Sequence, residues 1–543
     1  RVDTTSAGKR AAGVYPVSAA SWFLHWDEVG VFDINSTALG TPPLELMLAA
    51  GKHLANIAAS GVDGSPDGVE IWLLCGPGNN GGDGYVAAKV LAEGGFNIRI
   101  LASHTSQKTS LAQAARDNAT EPGIPIHIWL GKDWDTQPPS VTGDGATSVG
   151  ILIDALLGVG PGGAGAASQP RGAVGEVLIW TASHFARGAP KVLACDLPTG
   201  FGSNLQLRAG LTVTFHEEKL GMRDSDGNYH LGLGQVVIAP LPFPSGITDV
   251  GIGDVMRYPR LNSEARKGDR GRVLVVGGGP YHGAPILAGL AAARMGADLI
   301  HVAMPTAALK RVKWPVDLIP EEIPDEEFLT GESVSGLVER MTTGRGVQAL
   351  VIGPGSGRAE ETLRAMRSLL TAAAEHGVPC VIDADAIYSL PRGEWPTGVI
   401  GVATPHGVER EGWLGEDDPA EIIAQAAESA QPSKWDLYSE SAENAVIITT
   451  GVSDEIVGLG GRSSLASGGN PRMAVAGTGD LLAGSIGGLM ACGMSPWAAS
   501  RLACYLLREA GRVAGEQLGP GMVASDLPQY LAGALATALL IRD

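Results

Sequence analysis

The residues best equipped for chemistry sit where apolar runs break into glycine. Cys75 to Gly84 reads CGPGNNGGDG, between an apolar run and an alanine-rich one. Backbone N–H groups at such a turn face an anion at the start of the next helix. Gly76-x-Gly78-x-x-Gly81 formally meets the dinucleotide fingerprint, which requires an acid at the end of the next strand to bond the ribose. That strand ends ILASHT, without an acid, so an ordinary dehydrogenase is disfavoured. Asn79, Asn80 and Asp83 add side-chain oxygens that suit a hard cation. Two further carboxylates follow apolar runs: Asp154 in IDALLGVGPGGAG and Asp196 in CDLPTG. Singly, each reads as a turn or cap residue. Three such sites at strand ends of one domain point to a ligand cleft.

A second set lies further on. In AGTGD, Ala476 to Asp480, the N–H groups of Gly477, Thr478 and Gly479 would cradle an anion at a helix start. Asp480 is expected to stay ionised there and to act as a base. Alone, the motif reads rather as a loop with an Asp cap, and its neighbours change that reading. GGGPYHG (Gly277 to Gly283), GPGSG (Gly353 to Gly357), DADA (Asp383 to Ala386) and TPH (Thr404 to His406) each end a predicted strand. Together they outline a nucleotide-sized cleft. Asp383 and Asp385 read as helix caps or as groups around a magnesium ion. No HExxH, CxxC or GxSxG arrangement is present, which removes the usual zinc- and serine-hydrolase readings.

β-Branched runs alternating with helix-length segments must position these groups, the pattern of parallel sheets covered on both faces. The first series reads helix Pro43 to Ser60, strand Val69 to Cys75, helix Tyr85 to Glu93 and strands Asn97 to Ala102, Gly150 to Asp154 and Val192 to Asp196. A Pro/Gly-rich passage, Ala239 to Tyr258, interrupts it and places a boundary near residue 253. The second series has strands Arg272 to Val276, Ala349 to Ile352, Cys380 to Ile382, Val399 to Ala403 and Ala445 to Thr449, then helices after Asp480. Gln431 to Asn444 reads as a surface loop.

Composition limits the rest. The chain has 543 residues, 44% hydrophobic and 18% charged, with 77 glycines that follow no three-residue period. Disorder, collagen and linker readings fail on those counts. The net charge of −19 opposes nucleic acid and anionic lipid, so neither is expected as a partner. No apolar stretch reaches the length of a membrane span, and the first residues, RVDTTSAGKRAAG, lack the core of a secretory signal. The absent initiator Met suggests a trimmed or incomplete start. Five cysteines without a CxxC pair read as reduced, buried thiols in a cytoplasmic protein. Trp22, Trp26 and Trp72 read as core.

Over nearly its whole length the sequence resembles the bifunctional NAD(P)H-hydrate repair enzymes, an epimerase fused to an ADP/ATP-dependent dehydratase. DINSTALGTPPLELMLAAG, GPGNNGGDG, DALLGVG and DLPTG carry the first half of the resemblance. KGDRGRVLVVGGG, GAPILAGLAAARMGA, GPGSG, DADA, TPH and GNPRMAVAGTGDLLAG carry the second. The resemblance implies a Rossmann-like three-layer α/β/α epimerase domain over residues 1–252 and a ribokinase-like α/β/α dehydratase domain over 253–543. It implies NADHX and NADPHX as substrates, potassium as a cofactor, ADP or ATP as co-substrate with Mg2+, and a homo-oligomer.

By the same resemblance, Asn79, Asn80, Gly81, Gly82 and Asp83, with Gly158, Val159, Gly160, Pro161, Gly162, Gly163 and Ala164, bind the hydrate. Asp196 is the catalytic or positioning carboxylate, and Asn80, Asp154 and Thr199 surround potassium. In the second half Ala284, Gly355, His406 and catalytic Asp480 meet the hydrate. Thr450, Gly451, Val452, Ser453, Asp454, Gly477, Thr478 and Gly479 lie near the nucleotide. The sequence departs from the family pattern where Thr450-Gly451 replaces Lys-Gly, AGTGD replaces GGTGD and Thr199 replaces Ser. A lysine at position 450 would neutralise nucleotide phosphate. A ribokinase-like small-molecule kinase and a non-catalytic nucleotide-binding scaffold are the alternatives.

Overall fold

The computed structural model describes residues 24–62, 69–141, 148–159, 169–185, 190–224, 226–260, 262–429 and 443–542. Trp22, the residues 160–164 expected to bind substrate, and most of the loop expected at Gln431 to Asn444 lie outside them.

The first half opens with helices α1 (Val29–Ala38) and α2 (Pro43–Ser60). Its strands are β1 (Glu70–Cys75), β2 (Asn97–Ala102), β3 (Ile126–Ile128), β4 (Val149–Ala155), β5 (Lys191–Cys195), β6 (Leu211–Phe215) and β7 (Gln235–Ala239). Between them run α3 (Asn79–Glu93), α4 (Ser110–Thr120) and α5 (Gly172–His184). The sheet is parallel, in the order β3-β2-β1-β4-β5-β6-β7. Its direction of winding reverses between β1 and β4, and ligands of such sheets bind outside the strand ends at that reversal. Alternation along β1 explains why both faces are covered. Ile71 and Leu73 pack against α2 and α3 on one face, while Trp72 and Leu74 join the α5 side on the other.

In the second half the strands are β8 (Arg272–Val276), β9 (Leu299–Pro305), β10 (Ile319–Ile323), β11 (Ala349–Ile352), β12 (Cys380–Ile382), β13 (Gly401–Ala403), β14 (Ala445–Thr449), β15 (Asp454–Gly458) and β16 (Ser463–Ala466). The helices are α6 (Ala284–Arg294), α7 (Thr306–Arg311), α8 (Val334–Thr342), α9 (Glu360–Glu375), α10 (Gly407–Leu414), α11 (Pro419–Ser429), α12 (Thr478–Ala491), α13 (Pro496–Leu518) and α14 (Leu527–Arg542). Nine strands are ordered β10-β9-β8-β11-β12-β13-β14-β15-β16. They are parallel up to β14, after which β15 and β16 return as antiparallel neighbours. Here the winding reverses between β8 and β11. Val273 and Val275 face the α6, α12 and α13 side, Leu274 and Val276 the α8 and α9 side.

Both halves are therefore α/β/α layers around separate sheets, the fold class expected from the sequence. Two boundaries differ in a way that matters. Helix α3 begins at Asn79, six residues before the expected Tyr85, so the glycine-rich run forms its first turns. Helix α12 begins at Thr478 and carries Asp480 in its first turn. In both cases a glycine-rich segment has the composition of a loop and the geometry of a helix start.

The halves meet through buried polar contacts. Arg462 Nη2 donates to both carboxylate oxygens of Glu28 at 2.7 Å, and Trp497 Nε1 donates to Glu28 Oε1 at 2.7 Å. Arg501 Nε donates to Asp254 Oδ1 at 2.6 Å, and Gly253 N donates to Asn35 Oδ1 at 2.7 Å. Phe32 of α1 is buried in the same core as α12, α13 and α14. Four of the five cysteines are buried and all are free. Trp72 is fully buried. Among the described residues no helix is long and apolar enough to cross a membrane.

Candidate functional site

The first cavity lies at the β1/β4 reversal, with a volume of about 280 Å³. Its polar wall comprises Asp33 and Thr37 from α1, Asn79, Asn80 and Asp83 from α3, Asp196 after β5, and His216 and Lys219 after β6. Gly81 and Gly82, expected at the ligand, do not line it. A Cβ on Gly81 would stand 2.0 Å from Gly76 O, so glycine there lets α3 start directly against the end of β1. Gly82 is likewise closed off by Met47.

Asp196 is held from several sides. Val159 N donates to Oδ2 at 2.9 Å and Thr214 Oγ1 to Oδ1 at 3.3 Å, while Lys219 Nζ lies 3.3 Å from Oδ1. Lys219 is 2% exposed and also donates to Thr214 Oγ1 (3.0 Å), Phe215 O (2.8 Å) and Glu217 O (3.0 Å). Asp196 and His216 both have φ of +67°, a conformation that few side chains other than Asn, Asp and His adopt. Such backbone clusters where a site over-determines the chain. Asn80, its amide oriented to donate to Cys195 O at 3.2 Å, accepts from Gly158 N at 3.1 Å. This fixes Gly158 and Val159 at the rim.

Burial decides the protonation of this cavity. It pushes the Asp33 carboxyl up to about 6, with the Asp196 charge adding to the rise and Lys219 opposing it. Asp83 is raised well above the usual carboxylate range by burial and by the charges of Asp196 and Asp33. Burial brings His216 down to about 4, helped by Lys219, so its ring is neutral. The cavity thus joins a lysine-paired carboxylate to two carboxyls that hold protons more readily.

Asp154 and Thr199 lie behind the wall. Thr199 donates its N to Asp154 Oδ2 and its Oγ1 to Asp154 Oδ1, both at 2.7 Å, and Leu156 N donates to Oδ1 at 3.3 Å. All these donors are neutral, and burial lifts the Asp154 carboxyl to about 6.

In the second half the strand ends form one rim. A Cβ on Gly355 would lie 2.1 Å from Tyr281 O, so the loops after β8 and β11 touch. Ala284 stands at the start of α6. His406 caps α10: its Nδ1 accepts from Glu409 N at 3.2 Å, which leaves Nε2 as the protonated donor on an exposed ring. A parallel bridge sets His406 beside Thr450. Thr404 Oγ1 donates to Asp383 Oδ1 at 2.6 Å, while Asp383 Oδ2 is buried without a partner among the described residues. Asp385 accepts from Gly357 N and Arg358 Nε, both at 2.8 Å. Gly477 caps α12 with φ of +100°, and Thr478 donates its Oγ1 to Met473 O at 2.8 Å and its N to Val475 O at 3.4 Å.

Asp480 corrects an expectation. The helix start favours its ionised form, but burial and the charges of Asp383 and Asp385 outweigh it and raise the carboxyl to about 8. Without a ligand it holds its proton at neutral pH. Among the described residues no three His, Cys, Asp or Glu side chains gather as metal ligands.

Comparison with known proteins bears on both sites. Residues 273–532 match the family described as NAD(P)H-hydrate dehydratase, and residues 43–221 match the family described as YjeF-related protein N-terminus. The bifunctional NAD(P)H-hydrate repair enzyme of Pyrobaculum aerophilum is 31% identical over 525 residues, 93% of this chain and 96% of its own. That of Hyperthermus butylicus is 32% identical over 526 residues, 94% of this chain and 91% of its own. The chain belongs to this family of repair enzymes. The solved ADP/ATP-dependent NAD(P)H-hydrate dehydratase of Bacillus subtilis, co-crystallised with ATP and Mg2+, is 23% identical, with a TM-score of 0.43. The match covers 53% of this chain and 96% of that one.

In this repair-enzyme chain, sequence reasoning brought Asn79, Asn80, Asp83, Val159 and Asp196 to one cavity. It missed Asp33, His216 and Lys219. Asp33 had a signal, since it is the one acid in the helix VGVFDINSTA. Lys219 follows the last residues of a strand end that no motif marked.

Proposed function

We propose that residues 1–252 interconvert the R and S epimers of NADHX and NADPHX, and that residues 253–543 dehydrate the S epimer using ADP or ATP, in the cytoplasm. The observation that carries the first activity is the meeting of Asp33 and Lys219-paired Asp196 in one cavity. The hydrate bears its hydroxyl on the carbon beside the ring nitrogen. A proton from Asp33 lets that hydroxyl leave as water while the nitrogen lone pair forms a C=N bond. Water then adds to the opposite face and Asp196 takes its proton, so the carbon is inverted with no net gain or loss of water.

Asn80, Asp154 and Thr199 fit a potassium ion, because Asp154 is a fully buried carboxylate met, among the described residues, by neutral donors. When bound, potassium supplies the positive charge that balances Asp154 and orders the Gly158 edge.

In the second half the unpartnered Asp383 Oδ2 fits Mg2+, whose other ligands are commonly phosphate oxygens and water. When bound, Mg2+ would supply charge neutralisation at the phosphates and would offset the acids around Asp480. Asp480 takes the proton of the ring hydroxyl as its oxygen attacks the terminal phosphorus, and AMP or ADP departs with the bridging oxygen and its electron pair. Phosphate then leaves with the C–O electron pair, and loss of the neighbouring carbon's proton re-forms the ring double bond.

The test supplies purified full-length protein with mixed hydrates, Mg2+ and ADP or ATP. Recovery of absorbance at 340 nm from both epimers is expected. Recovery from the S epimer alone removes the epimerase reading, and no recovery from either removes the dehydratase reading.

A further inference from the structure

We infer that Arg508 positions the loop 450–454 for the nucleotide's phosphates, a task performed by a buried guanidinium behind the loop and not by a cation on it. This rests on the reading of that loop as the nucleotide site of the second half.

Arg508 stands on α13, 8% exposed, directly behind the turn that joins β14 to β15. Its Nε donates to Asp454 Oδ2 at 3.0 Å. Its Nη1 donates to Val452 O and Gly468 O, each at 2.9 Å, and its Nη2 to Gly451 O at 3.2 Å. One planar fork therefore binds two successive carbonyls of the loop, its only acid and the neighbouring turn at Gly468. A lysine has three donors around a point and cannot span four acceptors on two segments.

Two consequences follow for an incoming anion. In a trans peptide the C=O of one residue and the N–H of the next point in opposite directions. With the carbonyls of Gly451 and Val452 drawn inward to Arg508, the amides of Val452 and Ser453 point outward. Neither amide has a partner among the described residues, and the Val452 side chain is 97% exposed. Adjacent outward amides form a concave anion-binding surface. The second consequence concerns charge. Asp454 would repel a phosphate, but it lies 2.9 Å from Arg508 Nη2 and also accepts from Gly451 N at 3.1 Å. Arg508 both cancels this acid and turns it into a brace for the loop. Thr450 brings no charge to the loop, which leaves the amides to do the binding.

The experiment measures ATP binding to the full-length protein by calorimetry and dehydration of the S epimer as ATP is varied. Variants are Arg508→Lys, Arg508→Met and the pair Arg508→Met with Asp454→Asn. Arg508→Lys is expected to raise the KM for ATP by about tenfold or more, since it forfeits charge-assisted hydrogen bonds. The KM for the hydrate and the epimerase rate should hold. Adding Asp454→Asn to Arg508→Met should recover part of the ATP affinity, because the unpaired acid is gone. Wild-type protein that binds no ATP overturns the reading of the loop itself. Wild-type protein that binds ATP, with Arg508→Lys binding it equally well or losing kcat and fold stability with no selective change in ATP KM, overturns the role of Arg508.

Discussion

Replacing Asp33 with Asn should make the first half more stable and less active at once. The Asp33 carboxyl is raised from 3.8 to about 6, chiefly by burial. Below pH 3.8 the folded and unfolded chains both hold the proton, and the residue is neutral to stability. Between 3.8 and about 6 the unfolded chain releases a proton that the folded chain keeps. Stability attached to that proton is lost as pH rises, and the cost levels off above 6. A shift of about two units corresponds to about 3 kcal/mol. Asn carries no charge and gives up no hydrogen bond, since the Asp33 side chain has none among the described residues. The variant should match wild type near pH 4 and gain up to about 3 kcal/mol at pH 8. Hydrogen exchange of the β1 and β4 amides at the two pH values measures this within one half of a two-domain chain. Epimerisation should fall by about 100-fold or more, the usual worth of one proton-transfer group, with S-epimer dehydration unchanged. Equal protection gains at pH 4 and pH 8, or an epimerase rate near wild type, would refute the assignment.

Three other outcomes are expected. Lys219→Met strands Asp196 beside Asp33 without its cation and should cost the first half about 3–5 kcal/mol, read as an earlier urea transition together with lost epimerisation. Asp480→Asn should abolish dehydration while R and S hydrates still equilibrate, followed by chromatography of the epimers. Gly477→Ala places a methyl 2.5 Å from Leu287 Cδ1 at φ of +100°; dehydration should fall about tenfold or more through the strained backbone, and a crystal structure of the variant should show the start of α12 displaced.

Motifs at strand ends were legible because chemistry there is local. Glycines, an acid and a turn occur within a few residues, and alternation along strands such as Ile71 to Leu74 locates the turn. Asp33, His216 and Lys219 were not, because they reach the cavity from a helix and from a loop far along the chain. Only tertiary packing sets them opposite Asp196. The early start of α3 escaped for a different reason. Glycines that read as flexible are there to admit the end of β1 and Met47, and the sequence does not say which neighbour needs the space. The charge of Asp480 was not legible, since the acids that raise its carboxyl, Asp383 and Asp385, are almost a hundred residues away. Arg508 lacked a signal altogether: an arginine in a long amphipathic helix reads as solvated surface.

The shared helix α1 has a consequence for how the protein fails. One face, through Asp33 and Thr37, is a wall of the first cavity, and Phe32 belongs to the hydrophobic core of the second half. Phe32 also lines the first cavity, so damage to that core reaches the cavity through a residue that belongs to both. In a screen of variants, lesions deep in α12 or α13 should register as epimerase defects. The two steps would then be lost in the same molecule, and a population of damaged chains would stay balanced between them.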